Sequence, residues 1–106
     1  MYEYQADVIR VIDGDTLLLD IDLGMRIHVT QIVRLLGVNA PEMTGEQRPA
    51  GIAAREWVSG QVDSTVRIKT HLDRNDKYGR LLVEVFLADG TVLNQAIIAA
   101  GHGVVA

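Results

Sequence analysis

The sequence contains no cysteine, which excludes disulfides and thiolate metal sites and fits a cytosolic setting. No apolar run approaches the roughly 20 residues needed to cross a bilayer, so no membrane partner is expected. The opening stretch Met1-Tyr2-Glu3-Tyr4-Gln5-Ala6-Asp7 lacks a basic segment followed by an apolar one. No secretory signal is read there, and the expected location is cytoplasmic. An excess of positive charge is also lacking. With 14 acidic against 10 basic residues the net charge is −4, which weighs against a non-specific nucleic-acid coat, whose affinity rests on Lys and Arg displacing counterions. No linker, repeat or low-complexity stretch divides the 106 residues, a length suited to a single domain, 1–106, with a modest core.

What is present reads mostly as strands. Residues 4–13 are dense in strand formers without clean alternation, and they make the first expected strand. Leu17, Leu19, Ile21 and Leu23 alternate with Thr16, Leu18, Asp20 and Asp22, the period of a half-buried strand, and Gly24 follows as a turn. Met25, Ile27 and Val29 alternate with Arg26, His28 and Thr30 before the phase slips near Gln31. A β-bulge in one long, curved third strand ending near Val38 would produce that slip. Residues 39–47 read as loop, and Pro49 suits the first turn of a helix. Ala50, Ala53, Ala54, Trp57 and Val58 then share one helical stripe, which makes Trp57 a core residue rather than a substrate platform. Val66, Ile68, Thr70 and Leu72 mark a fourth strand, and Leu81, Val83, Val85 and Leu87 a fifth. Residues 92–100 read as a second helix, with Gly101 at its C′ position. The expected class is mainly β with α (α+β): a five-stranded OB-fold Greek-key barrel, one helix between strands three and four and a short helix after strand five.

Three segments carry chemistry: Ile12-Asp13-Gly14-Asp15-Thr16, Val33-Arg34-Leu35-Leu36-Gly37-Val38-Asn39-Ala40-Pro41-Glu42 and Asp76-Lys77-Tyr78-Gly79-Arg80. Each has a plain structural explanation. Asp13-Gly14 supplies the positive φ angles of a tight hairpin turn, and the third segment is a polar turn between strands four and five. Arg34, set in an apolar strand, needs a carboxylate or a phosphate, because an unpaired buried charge is costly. A salt bridge to Glu42 or an Asp satisfies that need as well as a phosphate does. Yet a turn does not require the second carboxylate, Asp15. Two carboxylates at i and i+2 on extended backbone point to one rim, which suits Ca²⁺ or Mg²⁺ held by oxygen and water ligands. Arg34, Arg74, Lys77 and Arg80 gather the positive charge near the same segments. His28, His71 and His102 share no metal-ligand spacing, and two of them fall on polar strand faces.

Taken together, the three segments in this order resemble the staphylococcal nuclease (thermonuclease-like) family across residues 8–101. Asp89-Gly90-Thr91-Val92-Leu93-Asn94 is similar to the family's turn into its second helix. The resemblance implies a single OB-fold domain and a Ca²⁺-dependent hydrolase of DNA and RNA, with Mg²⁺ or Mn²⁺ as substitutes and 3′-phosphate products. It implies that Asp15 ligates the metal directly, that Asp13 holds a metal-bound water, and that Asn39 and the carbonyl of Ala40 complete the protein's share. Glu42 would be the general base. Arg34 and Arg80 would neutralise charge on the phosphoryl oxygens, while Lys77 and Tyr78 would lie along a nucleic acid, single-stranded DNA or RNA being favoured. The chain departs from the family in three ways. Asn39 stands where an aspartate is usual, the hairpin between Asp15 and Arg34 is longer, and the chain stops at Ala106 where the archetype continues into a C-terminal helix. An apolar patch left uncovered there is expected to favour self-association. Two other functions fit the same residues: a catalytically weak or inactive OB module that binds nucleic acid or protein, and a purely structural assembly module.

Overall fold

The computed structural model describes residues 2–75 and 79–106. Strand β1 (Tyr2–Asp13) turns directly into β2 (Thr16–Asp22), and β2 returns as β3 (His28–Leu35). A two-residue strand β4 (Val38–Asn39) and a 3₁₀ turn (Gly45–Gln47) lead into helix α1 (Arg48–Gln61). Then follow β5 (Thr65–Asn75), β6 (Leu81–Phe86), helix α2 (Leu93–Ala99) and a second short strand, β7 (Val104–Val105). The long strands close a barrel in the order β1-β2-β3-β6-β5, β5 pairing back onto β1. All neighbours are antiparallel except β3 and β6, which run parallel because the chain crosses over through α1 and β5. That Greek-key crossing produces the expected OB-type barrel. No helix among the described residues is long and apolar enough to cross a membrane.

Alternation builds the core. Leu17, Leu19 and Ile21 of β2, Val66 and Ile68 of β5, and Val83 and Val85 of β6 point inward and are buried, with Val33 and Leu35 of β3. Each such side chain contributes about 1.5–3 kcal/mol by leaving water. Truncating Ile68, fully buried and central, would cost about 2–5 kcal/mol. Leu93 and Ile97 of α2 and Val58 of α1 seal the barrel from outside the sheet.

Several details differ from the sequence reading. The β2–β3 register is continuous from Thr16↔Arg34 to Asp22↔His28, so β3 carries no bulge. The apparent slip arises because Ile32 faces outward, 43% exposed. The irregularities lie in β1, between Val8 and Arg10 and between Val11 and Asp13, and in β5, between Thr70 and Asn75. β3 stops at Leu35, before Gly37 with φ +78° turns the chain into β4, and Leu23 is exposed rather than inward. On α1 the buried residues are Gly51, Ala54 and Val58, while Ala50 and Ala53 face solvent. Trp57 is half-buried and packs against the core, as its place on the stripe suggests.

Helix α2 ends as Gly101 predicts. The Gly101 amide donates to the Ile98 carbonyl and the His102 amide to the Ile97 carbonyl, both at 3.0 Å, with φ +82° at Gly101. This is a Schellman closure, and it needs a residue without a Cβ penalty at positive φ. Inside the helix, buried Asn94 accepts from the Val85 amide at 3.0 Å and donates to the carbonyls of Leu36 (2.9 Å) and Val83 (3.0 Å). One amide side chain thereby ties α2 to β6 and to the segment that leads from Arg34 to Asn39. Its loss would strip the buried Val85 amide of this acceptor, at about 1–3 kcal/mol, while the Val83 carbonyl would keep the Leu36 amide.

Candidate active site

One end of the barrel opens into a cleft of about 990 Å³. Asp13, Asp15, Arg34, Asn39, Ala40, Glu42 and Arg80 all line it, although they come from five separate parts of the fold. Lys77, Tyr78 and the Arg74 side chain lie outside the described residues.

The first contribution is the β1–β2 turn. Asp13 pairs with Thr16, so Gly14 and Asp15 are the two turn residues. Neither has positive φ, contrary to the expectation for Asp13-Gly14. Glycine is required here for space instead. A Cβ on buried Gly14 would lie 2.8 Å from the Ala40 Cβ and 2.9 Å from the Ala54 Cβ. The turn can therefore press against both the β4–α1 loop and helix α1. The Leu35 amide donates to the Asp15 carbonyl at 2.9 Å and fixes the turn to β3.

Asp15 is buried and fully engaged. Its carboxylate accepts from the Thr16 hydroxyl, from the Arg34 guanidinium and from the Ala40 amide, each at 3.0 Å. Burial pushes this carboxyl up, but the Ala40 amide, Asp13, Arg34 and Thr16 together outweigh it and hold it below its ordinary value. Asp13 moves the other way. Burial, its hydrogen bond to Asp15 and the charge of Asp15 raise it, against the pull of Thr16 and Arg80. The two carboxyls are a pair in which Asp13 holds the proton more tightly.

Arg34 reaches the cleft from β3, opposite Thr16 on β2 and beside Leu82 on β6. Its guanidinium donates to Asp15 and also to the Asn39 side-chain oxygen. Of the two salt-bridge partners open in the sequence, an Asp takes the role and not Glu42. The parallel β3–β6 pairing begins at Val33↔Leu81, which sets Arg80 at the same rim. Glu42 is exposed and follows Pro41. Its amide donates to the Gln47 side-chain oxygen at 3.0 Å, and Arg48 holds the next carbonyl, that of Met43, at 3.1 Å.

A hard divalent cation suits the donors. Asp13 Oδ1 is buried without a hydrogen-bond partner among the described residues, and a buried lone oxygen is a costly thing to leave unmatched. Beside it stand Asp15, the Asn39 amide oxygen and the Ala40 carbonyl, oxygen ligands throughout. Among the described residues no three His, Asp or Glu side chains converge. A cation held here would draw on an acid pair, an amide and a backbone carbonyl, with water for the rest. Arg34 stands across part of this set as a resident positive charge.

Three residues that carried no signal in the sequence also matter here. Gln47 lines the cleft, Gly51 underlies Glu42, and His102 lines the cleft while stacking on Trp57 with ring centroids 5.5 Å apart. The Schellman pattern at Gly101 could have placed His102, but nothing local marks the other two. His71, expected on a solvated face, is half-buried and contacts Glu84 at 3.0 Å.

A closed barrel thus carries an acid pair, two arginines and a glutamate on one rim. The chain belongs to the family described as staphylococcal nuclease homologue, which it matches over residues 32–106. It is 37% identical to the protein named Thermonuclease from Staphylococcus intermedius over 84 residues, 76% of this chain and 47% of that one. It is 33% identical to an uncharacterized endonuclease from Escherichia coli O157:H7 over 95 residues, 89% of this chain and 56% of that one. Thermonuclease from Staphylococcus hyicus is 36% identical over 89 residues, covering 80% and 50%. The chain thus spans about half the length of these relatives.

Proposed function

We propose that this chain is a metal-dependent phosphodiesterase that cleaves DNA or RNA, preferring single-stranded or frayed substrate. The observation that carries the reading is that Asp15, Arg34, Glu42 and Arg80, far apart in sequence, face one cleft. Relatives named thermonuclease and endonuclease support it. Asp13, Asp15, Asn39 and the Ala40 carbonyl would hold the cation, calcium by family resemblance and magnesium or manganese as substitutes. When bound, the metal supplies Lewis-acid polarisation and a template for the attacking water. Glu42 takes the proton of that water as it adds to phosphorus. Arg34 and Arg80 donate to the non-bridging oxygens, where charge accumulates, and one such donor is worth about 10²–10³ in rate. The P–O5′ bond then breaks and O5′ takes a proton from solvent water, leaving a 3′-phosphate and a 5′-hydroxyl. Lys77 and Tyr78 are assigned to the flanking nucleotides by resemblance alone.

Digestion of denatured DNA with calcium and with EDTA, followed by end-group analysis, tests this. Calcium-dependent cleavage with 3′-phosphate ends is expected; equal cleavage in EDTA, or 5′-phosphate ends, contradicts it. One observation favours a silent binding module: the Arg34 guanidinium is already engaged by Asp15 and Asn39. That reading predicts binding of the same DNA with no cleavage at any calcium concentration. A cytoplasmic site of action belongs to the same proposal and is tested by fractionation. So does self-association through β7, where Val104 and Val105 are 64% and 76% exposed, which sedimentation at rising concentration would reveal.

A further inference from the structure

Glu42 sits on an exposed loop, a poor place from which to aim a general base, since a displacement of about 1 Å can cost about 10² in rate. Yet its peptide is held from both sides by residues one helical turn apart. Gln47 is the N-cap of α1 but makes no side-chain hydrogen bond to its own helix. Its side-chain oxygen instead accepts from the Glu42 amide at 3.0 Å. Four residues on, and so on the same face, Gly51 is buried in the helix interior, where glycine costs about 0.5–1 kcal/mol relative to alanine. Its φ is not positive, so no backbone conformation demands glycine there. Space does. A Cβ at Gly51 would lie 2.7 Å from the Glu42 carbonyl carbon, closer still to its oxygen, and 3.0 Å from the Pro41 oxygen. Helix and loop backbones can meet only because the side chain is absent.

We propose that Gln47 and Gly51 are positioning residues that clamp the Glu42 peptide, Gln47 by its amide hydrogen bond and Gly51 by close backbone contact. The inference rests on the nuclease reading for its consequence in rate, but the clamp itself has a signature independent of activity. Neither residue touches the reacting atoms. Both act through Glu42.

The test uses the full chain with Gln47→Ala, Gln47→Glu, Gly51→Ala and the distant control Gln61→Ala. Amide hydrogen exchange by NMR reads the clamp, and calcium-supported cleavage of a single-stranded oligonucleotide reads its effect. In Gln47→Ala the Glu42 amide should exchange at least about tenfold faster, with the α1 amides unchanged. Its kcat should fall about tenfold, with KM within about twofold. Gly51→Ala should lower kcat about 10²-fold, and adding Glu42→Gln to either variant should cost less than it does in the wild type. Gln47→Glu keeps the acceptor, so protection survives. With that contact kept, its kcat should return towards the wild-type rate. Unchanged Glu42 exchange in Gln47→Ala overturns the clamp even if Gly51→Ala fails to fold, and so does a kcat equal to that of Gln61→Ala. A wild-type chain that cuts nothing overturns the nuclease reading, while exchange of the Glu42 amide still decides the clamp. That outcome is distinct from one in which wild type and variants cut equally well.

Discussion

The barrel has two hairpin turns at its start, and they are built on opposite terms. The β1–β2 turn, Gly14-Asp15, is buried, has no positive φ and is tied to β3 and to the Ala40 amide by hydrogen bonds. The β2–β3 turn is exposed. The Ile27 amide closes onto the Gly24 carbonyl at 2.9 Å, and the residues between, Met25 and Arg26, have φ of 54° and 63°. That is the pattern of a turn usually given to Asn-Gly, here imposed on residues that resist positive φ by about 1–2 kcal/mol each. Met25 is 90% exposed. In one turn glycine is present because atoms crowd it; in the other, strain is tolerated because little depends on exact placement. The difference marks which end of the barrel is held in fixed placement.

The sharpest way to break this contrast is to add the same methyl to both glycines. Gly14→Ala should destabilise the protein by about 1–3 kcal/mol through overpacking against Ala40 and Ala54, and it should depress cleavage by displacing Asp15. Gly24→Ala meets open space at φ +83°, so it should cost about 1 kcal/mol in strain and leave cleavage unchanged. Urea titration and initial rates measure both. Equal effects on rate would erase the distinction.

Next in size is the charge of the proposed metal site. Asn39→Asp restores a carboxylate beside Asp15, and calcium affinity by calorimetry should rise on the order of tenfold, about 1.4 kcal/mol. An unchanged titration would put residue 39 outside the coordination shell.

Smaller again is the proton of the acid pair. Asp15, lowered from 3.8, stabilises the fold above that pH, and its contribution is lost as pH falls from there towards the folded value. Asp13, raised from 3.8, is favourable in the fold while protonated, and that contribution disappears as pH rises through its folded value. Asp13→Asn should therefore stabilise the metal-free protein at pH 7 and have almost no effect near pH 3. A gain at pH 3 equal to that at pH 7 would show that charge is not the cause. The smallest effect belongs to the exposed turn: Met25→Asn with Arg26→Gly should stabilise by about 0.5–1 kcal/mol with no change in cleavage.

The sequence made the barrel readable wherever side chains alternate between two environments, as in Leu17-Leu18-Leu19-Asp20-Ile21-Asp22 and again in β5 and β6. It misled where an apolar residue faces out. Ile32 on the outer face of β3 counterfeited a bulge, while the real irregularities in β1 left no polarity signal. It misled again on α1, because a pattern count rewards Ala50 and Ala53 but gives no weight to Gly51, which is buried for lack of a side chain. The β4–β7 pair is too short, and too distant in sequence, to announce itself. For the site, Asp15, Arg34, Glu42 and Arg80 were nameable because their residue types carry chemistry. What holds them was not, since the Ala40 amide reaches Asp15 across 25 positions and Gln47 looks like any polar loop residue.

The most direct test of a hydrolytic rim is the initial rate of calcium-supported cleavage of denatured DNA by the wild type and by Glu42→Gln. The account predicts a loss of about 10²–10⁴ in kcat, the worth of a positioned general base, at unchanged thermal stability. Equal rates in the two proteins would contradict it.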